Sequence, residues 1–214
     1  MEINKLIIVT FCLLLTTLNR ALPINLKEPP PKWEPILAEM LTPGPIKSHF
    51  KESRFNRFQK LPRCFEGRLW WDPQIGLSLL YEEPSELIIN VLKKGLSMGQ
   101  PGKPLKSLPS SGQGKLMQLF FNLFNWDVAW LQANFQIEGS ISEAAIWQLR
   151  LLPLEQNVVS GLSSITLGGE GGLLNTIQLD LRGRRSIGIE LSRQERVLAL
   201  NQMELRLAFP DYDE

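Results

Sequence analysis

The chain has 214 residues, of which 43% are hydrophobic and 21% are charged, and these values are ordinary for a globular protein that buries a core. Its 23 basic and 22 acidic side chains nearly cancel and are interspersed, so the overall charge predicts no binding to nucleic acid or to an anionic membrane surface. The single histidine and the two cysteines are too few for a Cys/His zinc site, and we expect no metal and no cofactor.

The N-terminus predicts a signal peptide over residues 1–21. An apolar run extends from Leu6 to Leu18, which is too short for a membrane span of about 20 residues and is typical of a signal-peptide core. We expect cleavage after Ala21 and export, and an uncleaved anchor is the alternative. Cleavage would remove Cys12 and leave Cys64 without a partner for a disulfide within the chain.

Residues 22–32 follow as a proline-rich tether, because the sequence PINLKEPPPK has no core-forming pattern. We place the folded domain at residues 33–214. It opens with a short helix in which Pro35 suits the first turn and Pro43-Gly44-Pro45 marks the end. The apolar side of this helix consists of Ile36, Leu37, Met40 and Leu41.

Strand-type residues predict strands over 49–60, 67–72, 76–81 and 87–91, before a long surface loop over residues 93–115. Trp70 and Trp71 are neighbours in one strand, so they face opposite sides of the sheet. We place Trp71 on the inner side because Leu69 shares its face. We expect Trp70 to pack under the N-terminal helix or to lie at the outer rim.

A single apolar helix is predicted over about residues 115–134, where the chain has no glycine or proline. Apolar residues lie on more than one side of this helix. We therefore expect the helix to pack against other parts of the protein on more than one of its sides. A buried core helix and a lid over a cavity are equally compatible with the pattern. The residues that would face inward from a lid are Leu119, Phe120, Leu123, Phe124 and Trp130.

Apolar and polar residues alternate with a period of two in the C-terminal part of the chain. The runs at 147–151, 176–182, 186–192 and 202–209 predict antiparallel strands with one covered face and one wet face. The sequences GGEGG at 168–172 and RGRR at 182–185 are short enough for hairpin turns. The result is a large antiparallel meander.

No recognisable catalytic motif occurs in the sequence. His49 has Ser48 and Lys51 nearby but no nucleophile motif, and Gly112–Leu116 lacks the Ser or Thr of a phosphate-binding loop. We therefore expect a binding protein and not an enzyme.

The order of these features resembles the outer-membrane lipoprotein carrier family, the LolA/LolB-like group, of which this chain would be a divergent LolA-like member. The resemblance covers about residues 33–209 and is carried by RFNRFQ, GRLWWDP, GLSLLYEEP, LIINV, LMQLFFNLFNWDVAWL and WQLRLLP. It implies a mainly β (α+β) fold, in which an open, curved antiparallel β-sheet forms an unclosed half-barrel with an α-helical lid. It also implies a monomeric periplasmic carrier for the acyl chains of lipoproteins or other lipids. The implied partners are an inner-membrane donor complex and an outer-membrane acceptor.

In such a half-barrel the apolar concave face would line the ligand cavity. The expected lining residues are Trp71, Leu77, Leu79, Trp147, Ile165, Leu167, Ile177, Leu179, Ile187, Ile189, Met203 and Leu205. One departure from the family pattern is Asp72, which occupies a position before Pro73 where these carriers have a basic residue linked to lid gating and cargo release.

Two further functions stay open. One is an envelope protein-interaction or regulatory domain that uses the same concave face for a protein segment. The other is an enzyme for an apolar substrate, which would require a cluster of buried polar residues inside the cavity.

Overall fold

The computed structural model describes residues 21–42, 44–93, 95–109, 113–142, 144–154 and 161–211. The predicted signal peptide, apart from Ala21, lies outside these residues. The strands are β1 (Leu22–Pro23), β2 (Ile46–Phe55), β3 (Arg63–Asp72), β4 (Gly76–Glu83), β5 (Leu87–Leu92), β6 (Gly95–Gly99), β7 (Lys106–Leu108), β8 (Phe135–Ile141), β9 (Ile146–Pro153), β10 (Leu162–Glu170), β11 (Leu173–Leu181) and β12 (Arg185–Arg196). The helices are α1 (Glu34–Met40), α2 (Gln113–Phe124), α3 (Val128–Asn134) and α4 (Gln202–Ala208). Within the described ranges, every helix is too short or too polar to cross a membrane.

The strands form one 12-stranded antiparallel sheet in the order β1-β8-β9-β10-β11-β12-β2-β3-β4-β5-β6-β7. With β1 at one edge and β7 at the other, the sheet is open and curved, which confirms the predicted fold class. The predicted hairpins between β10 and β11 and between β11 and β12 are confirmed. Their turns are shorter than predicted, at residues 171–172 and 182–184, because residues 168–170 belong to β10 and Arg185 belongs to β12. The segment predicted as a long surface loop, 93–115, instead contains β6, β7 and the start of α2.

The main core lies on the concave face, where α1 and α3 fill the side formed by β8–β11. Trp147 on β9 is 1% exposed, and its ring centroid lies 6.4 Å from that of Trp33 and 5.9 Å from that of Trp126. Its indole nitrogen donates a hydrogen bond of 2.8 Å to the carbonyl oxygen of Gly171. This indole therefore joins the N-terminal helix, the segment between α2 and α3 and the β10–β11 turn.

The segment before α1 belongs to the sheet, so the prediction of a tether without core contacts is wrong. Leu22 pairs with Gly139 on β8, and both Ile24 and Leu26 are buried. A side chain at Gly139 would lie 3.0 Å from Ile24 Cδ1, so the glycine leaves the space that Ile24 occupies. Ile24 and Leu26, at a spacing of two directly after this short edge strand, anchor the segment in the main core.

The predicted single helix over 115–134 is in fact the pair α2 and α3. The chain turns at Trp126, whose φ is 46°, and Asp127 then acts as the N-cap of α3 by accepting a hydrogen bond of 2.9 Å from the amide of Trp130. Aspartate favours a cap over a helix interior because its carboxylate competes for backbone N–H groups. This local preference overrides the continuous apolar pattern.

Residues 202–208 form a helix, which corrects the predicted strand and removes Met203 and Leu205 from the cavity. Asn201 and Glu204 form a capping box that starts α4. Met203 is 79% exposed, whereas Leu205 packs against a second apolar cluster on the outer face of β3–β5. The buried members of this outer cluster are Trp70, Ile75, Leu80, Ile88, Leu92, Leu200, Ala208 and Phe209.

Trp70 and Trp71 face opposite sides of β3, as predicted. Trp71 belongs to the main core of the concave face, and Trp70 belongs to the outer cluster under α4. The expectation that Trp70 packs under the N-terminal helix or lies at the rim is wrong, because the C-terminal helix covers it.

Candidate ligand-binding cavity

An apolar cavity of about 260 Å³ lies on the side of the concave face that α1 and α3 leave free. Helix α2 packs over β4 and β5 and forms its roof. The residues around this cavity are Glu52, Arg54, Leu79, Tyr81, Leu87, Ile89, Leu96, Met98, Leu108, Leu116, Met117, Phe120, Ile187 and Ile189. We refer to it as the α2 cavity.

Strand periodicity explains why these side chains point into one space. Leu79 and Tyr81 on β4, Leu87 and Ile89 on β5, and Leu96 and Met98 on β6 are each two residues apart, so each pair shares the inner face. The roof residues Leu116 and Met117 lie four and three residues before Phe120, which places each of them on the same side of α2 as Phe120.

One wall of the α2 cavity is polar and consists of Glu52, Arg54 and Tyr81. The hydroxyl of Tyr81 donates a hydrogen bond of 2.6 Å to Glu52 Oε2, and Arg54 Nε donates to Glu52 Oε1. Arg54 Nη2 lies 3.4 Å from the Tyr81 hydroxyl, to which it donates. The side chain of Glu52 is 4% exposed and that of Arg54 is 46% exposed, so the carboxylate is buried and the guanidinium lies at an opening.

Sequence reasoning missed this polar wall, although β2 contains a signal for it. Ser48 and Phe50 are buried on the inner face, and a period of two continues that face through Glu52 and Arg54. An acidic residue in register with buried strand positions therefore indicates a charged group inside the sheet.

Burial raises the pKa of Tyr81 well above its ordinary value, and the negative charge of Glu52 adds to the effect. In an alkaline titration followed by tyrosinate absorbance, we expect this phenol to ionise later than a free tyrosine. The chain has two tyrosines, so the Tyr81→Phe variant identifies the delayed component by removing it. A titration in which Tyr81→Phe removes a component of ordinary pKa would contradict the buried hydrogen bond to Glu52.

The structure divides the predicted site residues among several places. Leu79, Phe120, Ile187 and Ile189 line the α2 cavity. Trp71 and Phe124 line a smaller cavity of about 140 Å³ between α1 and the end of α2. Trp130 is partly buried, with its ring centroid 5.8 Å from that of Phe135. The core residues are Leu77, Leu119, Leu123, Trp147, Ile165, Leu167, Ile177 and Leu179. Ligand contact by any of these residues stays a prediction.

Asp72 has a local structural role at the β3–β4 turn. Its Oδ1 atom accepts hydrogen bonds from the amides of Gln74, at 2.8 Å, and of Ile75, at 3.2 Å. A basic side chain has no acceptor for these bonds. The aspartate at this position therefore stabilises a tight turn.

Within the described residues, no group of three or more His, Cys, Asp or Glu side chains is placed to hold a metal ion. The thiol of Cys64 is free and exposed on β3.

No protein-family model matches the chain, and no curated protein sequence matches it. Several solved structures are similar in architecture. A DUF1329 family protein from Desulfovibrio piger has 9% sequence identity and a TM-score of 0.49, over 84% of this chain and 96% of that one. A LolA superfamily protein from Nitrosomonas europaea has 10% identity and a TM-score of 0.42, over 82% of this chain and 96% of that one. A chain of the MucA/MucB complex of Pseudomonas aeruginosa has 12% identity and a TM-score of 0.48, over 81% of this chain and 59% of that one. At identities of 9–12% and TM-scores of 0.42–0.49, these likenesses do not indicate what the chain binds.

Proposed function

We propose that this protein is a periplasmic carrier that holds an acyl chain of a lipoprotein or another lipid in the α2 cavity and shuttles it towards the outer membrane. The observation that carries the proposal is an apolar cavity of about 260 Å³ under a helix, with an opening beside Arg54. Burying a methylene group contributes about 0.8 kcal/mol, so a chain of several methylenes would bind without further contacts. Binding of this kind needs no catalytic step.

The size of the cavity limits what it accepts in this arrangement. Ligand pockets commonly measure about 300–1,000 Å³, so a cavity of about 260 Å³ is just below this range and suits a single chain. A lipoprotein with several acyl chains would require α2 to move away from β4 and β5. The donor and acceptor membranes would then act by shifting this helix.

The polar wall gives the bound chain a direction. Glu52 and Arg54 lie on β2 and bind Tyr81 on β4, whereas Leu96, Met98 and Leu108 lie on β6 and β7. An acyl tail placed on the β6 side leaves the polar end of the ligand near Arg54. The guanidinium has N–H groups beyond the two that bind Glu52 and Tyr81, so it can donate to a carbonyl or carboxylate oxygen.

The alternatives are less well supported by the same cavity. An enzyme would need buried polar groups, and the polar wall meets that requirement. However, the described lining residues include no Ser, Cys, His or Asp to act as a nucleophile or second acid.

A protein-binding domain would need an open concave face, yet α1, α2 and α3 cover much of it. The remaining space suits a chain better than a protein segment.

The experiment that tests the proposal is native mass spectrometry of the exported protein, purified without detergent, followed by lipid extraction and titration with a fluorescent fatty-acyl probe. We expect co-purified acyl species and saturable probe binding. Met98→Glu and Met117→Glu place a charge among half-buried lining residues and should weaken probe binding at least about tenfold, because a charge in an apolar site is costly.

Met203→Glu is the matched control, since this side chain is 79% exposed on α4 and should leave probe binding unchanged. A wild-type protein that arrives empty and takes up no probe would refute the acyl-carrier proposal. So would equal probe binding by Met98→Glu and Met203→Glu.

A further inference from the structure

Exposed apolar side chains project from one end of the sheet, on the turn between β2 and β3. Phe58 and Leu61 are each 78% exposed, and Phe55 at the end of β2 is also exposed. Most of the surface of Phe58 and Leu61 is therefore open to solvent. Two large apolar groups on one turn and a third on the strand that leads into it are more than the scattered exposure that is normal for a surface.

Cations surround these apolar side chains. The β2–β3 turn carries Arg57 and Lys60, and Arg63 follows it at the start of β3. The β11–β12 turn carries Arg182 and Arg184, and Arg185 follows it at the start of β12. Strand register brings the two turns together, because Phe55 on β2 pairs with Ser186 on β12. None of these six cations forms a salt bridge with an acidic side chain in the described part of the chain. We call these two turns, together with Arg63 and Arg185, the basic end.

Few acidic groups offset this charge. Glu66 pairs with Lys51, and Glu82 pairs with Arg68. The exposed Glu83 and Glu86 lie at the neighbouring β4–β5 turn and form no salt bridge with another described residue. The near-neutral composition predicted no binding to an anionic surface, but the fold gathers cations without acidic partners at one end, which a sum over the sequence does not detect.

The opening of the α2 cavity is next to the basic end. Arg54, which lies at that opening, pairs in register with Arg63 on one side and Ile187 on the other. The guanidinium of Arg57 stacks 4.4 Å from the ring centroid of Phe58, so the cation and the aromatic ring project together.

We propose that the basic end docks this protein on an anionic phospholipid surface. Phe58 and Leu61 enter the interfacial layer, and the surrounding cations lie among the phosphate headgroups. Such a surface presents apolar material directly beneath negative charge, which matches an apolar turn ringed by arginine and lysine. The inference does not depend on what the α2 cavity holds, although docking would turn the opening of that cavity towards the membrane.

Vesicle co-sedimentation of the purified protein tests the docking. We expect strong partitioning to vesicles of phosphatidylcholine and phosphatidylglycerol, and weak partitioning to vesicles of phosphatidylcholine alone. Each basic residue near an anionic surface contributes roughly a fivefold change in partitioning, so Arg57→Gln, Lys60→Gln and Arg184→Gln together should reduce it about a hundredfold. Phe58→Ser with Leu61→Ser should weaken binding to both vesicle types.

Matched controls lie away from the basic end. Arg193→Gln with Arg206→Gln removes exposed cations elsewhere, and Leu198→Ser with Met203→Ser removes exposed apolar side chains. Both pairs should leave vesicle partitioning unchanged, and circular dichroism verifies that every variant is folded.

Equal partitioning of the wild type to the two vesicle types would overturn the docking proposal, as would a loss of binding in the controls that matches the loss in the basic-end variants. Binding to poly-glutamate without binding to vesicles would also overturn it, in favour of an acidic protein partner. Fatty-acyl probe binding is measured on the same variants. If the probe binds and the vesicles do not, docking alone is wrong and the carrier proposal stands.

Discussion

Replacing Trp147 with alanine should lower the free energy of unfolding by about 3–5 kcal/mol, the range for removing a large buried aromatic side chain. The indole contacts Trp33 and Trp126 and donates a hydrogen bond to Gly171, so the variant leaves a cavity between α1 and the sheet and loses that bond. Urea denaturation measures the change, and an unchanged m-value would show that the unfolded state is not affected.

The conservative variant Trp147→Phe serves as the control. It keeps an aromatic ring and removes the N–H donor, so its loss of stability should be clearly smaller than that of Trp147→Ala. A substitution at an exposed position lowers the free energy of unfolding by less than about 1 kcal/mol. If Trp147→Ala has an effect this small, α1 does not pack against β9 as described.

A second large effect is expected at Gly67 in β3, where Gly67→Ala should lower the free energy of unfolding by at least about 3 kcal/mol. A Cβ atom at this position would lie 2.0 Å from the carbonyl oxygen of Leu80 and 3.0 Å from Phe50 Cε1. Gly67 pairs with Phe50 on one side and Tyr81 on the other, and the ring centroids of those residues are 5.0 Å apart. The missing side chain lets the two rings meet across β3.

Gly183→Ala is the matched control for this substitution. Gly183 has a φ of +77°, and a Cβ atom there would meet no described atom within 4 Å, so only backbone strain of about 1 kcal/mol is expected. Thermal or urea unfolding that ranks Gly183→Ala as the more damaging change would contradict the close approach of β3 to β4. The Gly67→Ala variant should also disturb Tyr81, which the alkaline titration of its phenol detects.

Much of the sheet could be predicted from sequence because strand periodicity is a local property. The alternation in β9, β11 and β12 identifies strands and their inner faces, and the glycine-rich links identify the turns. The same alternation led to a wrong prediction at residues 202–208, because Leu205 and Ala208 also fit a helical spacing. The capping box formed by Asn201 and Glu204 favours the helix there. Periodicity alone does not distinguish the two when the segment is short.

The candidate site was less predictable because it depends on what fills the concave face. Ile165, Leu167 and Leu179 have the apolar inward pattern expected of cavity residues, yet they are fully buried core residues. The long-range packing of α1 and α3 decides which half of the concave face stays open. No local sequence pattern predicts this packing. The polar wall was detectable in principle, because Glu52 lies two residues after the buried Phe50.

The occupancy of the α2 cavity is tested most directly by a crystal structure of the protein with a fatty acid that carries bromine at the end of its chain. We expect anomalous scattering from the bromine on the β6 side of the cavity, beside Leu96 and Met98, and the carboxylate near Arg54. Bromine on the outer face of the sheet, or no ordered bromine at a saturating ligand concentration, would contradict the acyl-carrier proposal.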